Sequence, residues 1–147
     1  MGDAVKQTIE PLNEDEIAWV AQNLKLAKTI VGTHIPGAQA TLEPRSLDNA
    51  FLGWSEKDQG ETVDANTLVN ALGIAFGQYL VDRLGMRWVV VSDEAGTDLA
   101  VHGSPGDILI FPTSAVAKRV ASGEGPFFEE LSRRMSADVE RLRRQTH

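Results

Sequence analysis

The apolar positions of this chain recur with two periods, and the change from one to the other falls just after residue 85. From Asn13 onward Ile17, Val20, Ala21, Leu24 and Val31 return to one side of a 3.6-residue repeat. Asn13 stands before this run with Glu16 three residues on, the spacing of a reciprocal cap. A helix is therefore predicted over 13–32, ending at Gly32. Thr33 to Pro44 holds Pro36-Gly37 and keeps no period, which predicts a connecting loop. Leu47, Ala50, Phe51 and Trp54 follow at i, i+3, i+4 and i+7, a short helix with Ser46 as the expected cap. Ser55 to Glu61 is polar and predicts a turn. Asp64 is placed to cap a central helix whose apolar side gathers Leu68, Leu72, Ala75, Phe76, Tyr79 and Leu80 before Gly85 ends it.

Beyond Gly85 the period falls to two. Strands are predicted near 87–92, 97–102 and 107–111, joined by turns at Asp93-Glu94-Ala95-Gly96 and Gly103-Ser104-Pro105-Gly106. A three-residue connection with Gly96 as a left-handed bulge would pair Asp93 with Thr97, Val91 with Leu99 and Trp88 with His102. Val89, Val91, Leu99 and Val101, joined by Ile108 and Ile110, then form a core face. Trp88, Ser92, Asp98, Ala100 and His102, with Leu109 and Phe111, form a mixed one. After Pro112 a short helix is expected over 114–121, with Val116 and Val120 inward. Gly123-Glu124-Gly125-Pro126 breaks the chain, and a last helix over 126–145 lines up Phe128, Leu131, Met135, Val139 and Leu142. The expected fold is a single α+β domain over 1–147, a small antiparallel sheet of three or slightly more strands with about five helices packed on it.

Two positions break the helical logic. Gly73 and Gly77 sit one turn apart inside the central helix, where together they cost about 2 kcal/mol of helix stability relative to alanine. A close approach by another backbone is the expected return for that loss.

Composition then excludes more than it selects. At 147 residues, 42% hydrophobic and 24% charged, the chain is long enough to bury roughly 70% of its unfolded surface. No apolar run approaches a membrane span, and the first residues carry no apolar signal core, so a cytoplasmic protein without membrane contact is expected. The absence of cysteine rules out disulfides, a thiolate nucleophile and cysteine-bound zinc. A net charge of −7 argues against nucleic acid as a partner. The charge is uneven, with 11 acids against 5 bases before Ala65 and 5 against 7 from Thr113 onward.

No catalytic signature is present. His34, His102 and His147 share no ligand spacing, so neither a metal nor a cofactor is expected. Asp93, Glu94 and Asp98 crowd one turn without the ligand pattern of a calcium loop, and turn chemistry accounts for Asp93 and Gly96. There is no Gly-x-Ser-x-Gly elbow, and Gly123-x-Gly125 lies between helices, followed by proline. The arginines of the last helix alternate with acids at i, i+4 and suit its C-terminal dipole. What remains is the mixed sheet face, where a carboxylate (Asp98), an imidazole (His102) and an indole (Trp88) would project together. Such a set serves acid-base chemistry or forms a wall for a ligand, unless helices or a second subunit cover it.

These residues also carry a family resemblance. Leu72-Gly73-x-x-x-Gly77, Trp88-x-x-x-x-Asp93-x-x-Gly96-x-Asp98, and Phe111-Pro112 leading to Lys118-Arg119 and Gly123-Glu124 together resemble the bacterial domain-of-unknown-function family 3806, over about Leu68 to Glu124. The resemblance implies a small cytosolic α+β domain and no established activity. The functional expectation is a non-catalytic protein-binding or regulatory module. The alternatives are a ligand-binding or acid-base site on the Trp88, Asp98, His102 face, and a structural homodimer.

Overall fold

The computed structural model describes residues 7–34, 42–58, 61–123 and 125–145. Most of the predicted loop over 33–44, Gly60, Glu124 and His147 lie outside the described residues. A capping box opens the first helix: the Asn13 amide donates to Glu16 Oε1 at 2.7 Å, and the Glu16 amide donates to Asn13 Oδ1 at 2.8 Å. Helix α1 runs Glu14–His34, past Gly32, because glycine does not end a helix whose next residues keep helical backbone. Helix α2 spans Pro44–Gly53 and starts at Pro44 rather than at Ser46, proline being at ease in a first turn where no amide is needed. A π-helical segment over Trp54–Asp58 follows, pinned by a 2.6 Å bond from Trp54 Nε1 to the Val63 carbonyl.

Helix α3, Ala65–Leu84, begins at Asp64, whose carboxylate accepts from the Thr67 amide at 2.7 Å. That hydrogen bond holds the Asp64 carboxyl below its ordinary range. Gly85 closes the helix in the left-handed region at φ 63°. Every residue from Ala71 to Gly77 is buried, so α3 is the enclosed axis of the fold rather than a one-sided surface helix. Helix α4, Pro112–Ala121, and helix α5, Phe128–Arg144, pack against it from the far end of the chain.

The two interior glycines lie where close packing requires them. A Cβ on Gly73 would stand 2.9 Å from the backbone of Thr113. One on Gly77 would meet the Trp88 ring and stand 2.8 Å from Pro112 Cγ. The N-terminus of α4 and the indole of Trp88 therefore press directly on the α3 backbone.

Strands β1 (Thr8–Pro11), β2 (Arg87–Asp93), β3 (Gly96–Gly103) and β4 (Ile108–Ile110) form an antiparallel sheet in the order β1-β2-β3-β4. With the five α-helices among the described residues this is the expected α+β class. Strand β1 has no counterpart in the sequence pattern, being four residues long and ending in proline.

The register of the central hairpin differs from the expected one by a residue. Asp93 pairs with Gly96, Ser92 with Thr97, Val91 with Asp98 and Trp88 with Val101. The connection is only Glu94-Ala95, because the Asp93 carboxylate accepts from the Ala95 amide at 2.8 Å and tightens the turn from within. Gly96, at φ 139°, becomes the first residue of β3 instead of a bulge after the loop. One residue of slip exchanges the faces of β2 relative to β3. Trp88, Val90, Leu99, Val101, Ile108 and Ile110 now share the side that meets the helices. Val89, Val91 and Ala100 form a second, smaller buried cluster with Ile9, Leu109 and Phe111.

Candidate functional site

Strand β4 is three residues long and pairs only with Val101, His102 and Gly103 of β3, so the β2–β3 hairpin projects beyond it. On the helix-facing side the α3 helix covers Trp88 and Val101, while Val90 and Leu99, nearer the hairpin tip, floor an open cleft. One wall is the start of α1, fixed by its capping box, which contributes Asp15, Glu16 and Trp19. The opposite wall comes from Asn70, one turn before Gly73 on α3, and from Thr113, which is held against Gly73. Asp98, whose side chain belongs to the other face of β3 and is bonded to Ser114, borders the end of the cleft. The cleft has a volume of about 560 Å³, within the size class of ligand sites.

Three features set its chemistry. The Trp19 side of α1 is open to solvent, the residue being 37% exposed, an unusual position for an indole on a packed helix. The residues around it include three acids, two of them, Asp15 and Glu16, on the α1 side, and no lysine, arginine or histidine. The carboxylate of Asp98 is held in place: Oδ1 accepts from the Leu99 amide at 2.8 Å and Oδ2 from Ser114 Oγ at 3.1 Å. Ser114 belongs to α4, so this bond ties the hairpin to the same helix end that the α3 glycines admit. On the other side of Asp98 a second groove of about 670 Å³ runs between Leu109, Phe111, Lys118 and Met135.

The three residues expected to share a face are not brought together. Trp88 turns toward the helices, where its Nε1 donates to Gln78 Oε1 at 3.0 Å. Asp98 and His102 lie on the other side of the sheet, and His102 Nε2 stands 2.8 Å from Asp107 Oδ1 across the β3–β4 turn. His102 faces Arg87 and Leu109 rather than Trp88. The hairpin slip is the cause. Asp98 and His102 do share a face, as expected, and of the expected set only Asp98 borders the cleft. Among the described residues no group of three or more histidines and acids is placed to hold a metal ion. No described helix is long and apolar enough to cross a membrane.

Trp19, Asp15, Asn70 and Thr113 were not singled out by the sequence pattern. The apolar phase of α1 did not point to Trp19: Ile17, expected inward, is 55% exposed, and the buried side of the helix is Val20, Asn23, Ala27, Ile30 and Val31. A further unforeseen residue is Asp48 of α2, 6% exposed, whose carboxylate accepts from the amides of Phe127, Phe128 and Glu129 at 2.7, 2.7 and 3.0 Å. It caps α5 from another helix, and its role is structural.

Comparison with known proteins bears on the fold and the family. The family described as "Domain of unknown function (DUF3806)" matches residues 54–131. No curated protein matches the chain. A crystal structure from Bacteroides thetaiotaomicron VPI-5482 is similar with a TM-score of 0.67 at 16% identity, over 86% of this chain and 46% of that one. The likeness is one of fold, and this chain spans about half the length of the solved one.

Proposed function

The chain belongs to the DUF3806 family, a domain of unknown function, and from that premise we propose that it is a non-catalytic, cytoplasmic binding module that holds a cationic segment of a protein partner in the cleft beside Trp19. The carrying observation is the lining of that cleft: an exposed indole, an apolar floor of Val90 and Leu99, and acidic residues without a cation among them. An indole face attracts a cation by about 0.5–2 kcal/mol, more as water is excluded. The acids add a field of the right sign, and the net charge of −7 supports capture of a basic partner over distance. The same field disfavours a second copy of the chain on this surface, because Glu14, Asp15 and Glu16 would face their own kind. A hydrolytic or proton-transfer reading lacks support, since no histidine lines the cleft and the Asp98 side chain belongs to the other face of the sheet.

The test is a titration of isotope-labelled protein, followed by NMR, with a short lysine- and arginine-containing peptide and with its glutamate-substituted counterpart. Shifts are expected to centre on the Trp19 indole, the Asn70 side chain and the amides of Thr97 to Leu99, with the cationic peptide alone. Trp19→Ala is expected to weaken binding about 3- to 30-fold, the equivalent of the indole's attraction. Shifts scattered evenly over the acidic surface, or equal response to both peptides, would defeat the proposal.

A further inference from the structure

The acceptors of the cleft are spread over facing walls rather than gathered at a point, and this bears on which cation fits. Asp15 and Glu16 stand on α1 and Asn70 on α3, with Asp98 at the border of the cleft and an apolar floor of Val90 and Leu99. Part of their capacity is already committed: Glu16 Oε1 accepts from the Asn13 amide, and the Asp98 oxygens from Leu99 and Ser114. What is left is a set of acceptors on separate elements around an apolar floor, beside an indole. An ammonium is a compact, strongly hydrated charge that would bind one wall and lose water over Val90 and Leu99. A guanidinium is planar and weakly hydrated, stacks on an indole, and presents five donors in several directions at once.

We infer that the cleft selects a guanidinium, and that its occupant is an arginine side chain carried by a protein segment, a conclusion that rests on the cationic reading of the site given above. Free arginine shares the guanidinium but brings an α-carboxylate into a cleft already bordered by acidic residues. A peptide-borne arginine has no such charge.

Three probes separate these cases: Nα-acetyl-arginine-N-methylamide, its lysine counterpart, and free L-arginine, each titrated into the full chain and read from the Trp19 indole and Asn70 side-chain resonances. The arginine amide is expected to bind at least fivefold more tightly than the lysine amide and more tightly than free arginine. That preference is expected to shrink in Trp19→Phe and Asp15→Asn, two exposed positions whose variants are first checked for an unchanged amide spectrum. Equal or tighter binding of the lysine amide overturns the guanidinium inference and leaves the cationic site standing. Free arginine as the tightest probe overturns the protein-borne source. Failure of all three to perturb the cleft brings down the cationic site with it.

Discussion

At the scale of single residues, the glycines of this chain show how one residue type answers to opposite demands. Gly77 faces the Trp88 ring and Pro112, and Gly73 faces Thr113, so a methyl at either site must displace backbone or a pinned aromatic. Gly77→Ala is expected to lose about 1–2 kcal/mol in urea denaturation, overpacking of about 1–3 kcal/mol outweighing a helix-propensity gain of up to about 1 kcal/mol. Gly32, near the end of α1, has open space where a Cβ would sit and no positive φ. Gly32→Ala is therefore expected to stabilise the protein by about 0.5 kcal/mol in the same measurement. The need for close packing at Gly73 and Gly77 was legible, because two costly residues one turn apart call for compensation. The identity of what presses on them was not, since Trp88 and Pro112 lie 11 and 35 residues beyond Gly77.

At the scale of elements, helix ends are satisfied in two ways that differ in what sequence reveals. Asn13 with Glu16, and Asp64 with Thr67, are local caps, readable from spacing alone. Because hydrogen bonding holds the Asp64 carboxyl below its unfolded value, its contribution is full above the ordinary carboxylate range and is lost as pH falls through the lowered one. Asp64→Asn is expected to flatten that acid limb in thermal melts recorded across the pH range. Helix α5 has no cap of its own and borrows Asp48, 79 residues upstream of Phe127. Asp48→Ala is expected to cost about 2–4 kcal/mol, since three buried or partly buried amides lose a charged acceptor together. Asp48→Asn, which keeps one acceptor oxygen, is expected to lose less, and the comparison by chemical denaturation separates the cap from simple packing. The hairpin register belongs to this scale as well. A single hydrogen bond from the Ala95 amide to Asp93 shortens the turn, and with it the sorting of β2 side chains is reversed.

At the scale of the whole molecule, the family span of 54–131 is not the cooperative unit. The core around α3 takes Ala27, Ile30 and Val31 from α1, Leu47 and Phe51 from α2, and Val139 from α5, all outside that span. A fragment of 54–131 is expected to show the collapsed amide dispersion of an unfolded chain by NMR, whereas the full chain is expected to unfold in one cooperative step. The α+β class, most of the helices, their local caps and the glycine seam were legible in the chain alone, because they rest on periodicity and on contacts within a few residues. The fourth strand, the hairpin faces, the Asp48 cap and the cleft emerge only once the chain is packed. Each of these depends on backbone groups and side chains meeting across long stretches of chain. Asp98 was identifiable as a polar residue on a strand, but its neighbours Trp19, Asn70 and Ser114 come from three different helices. Their assembly follows from how closely α3 lets α4 approach and from how far the hairpin projects past β4, and neither distance is written in any local pattern.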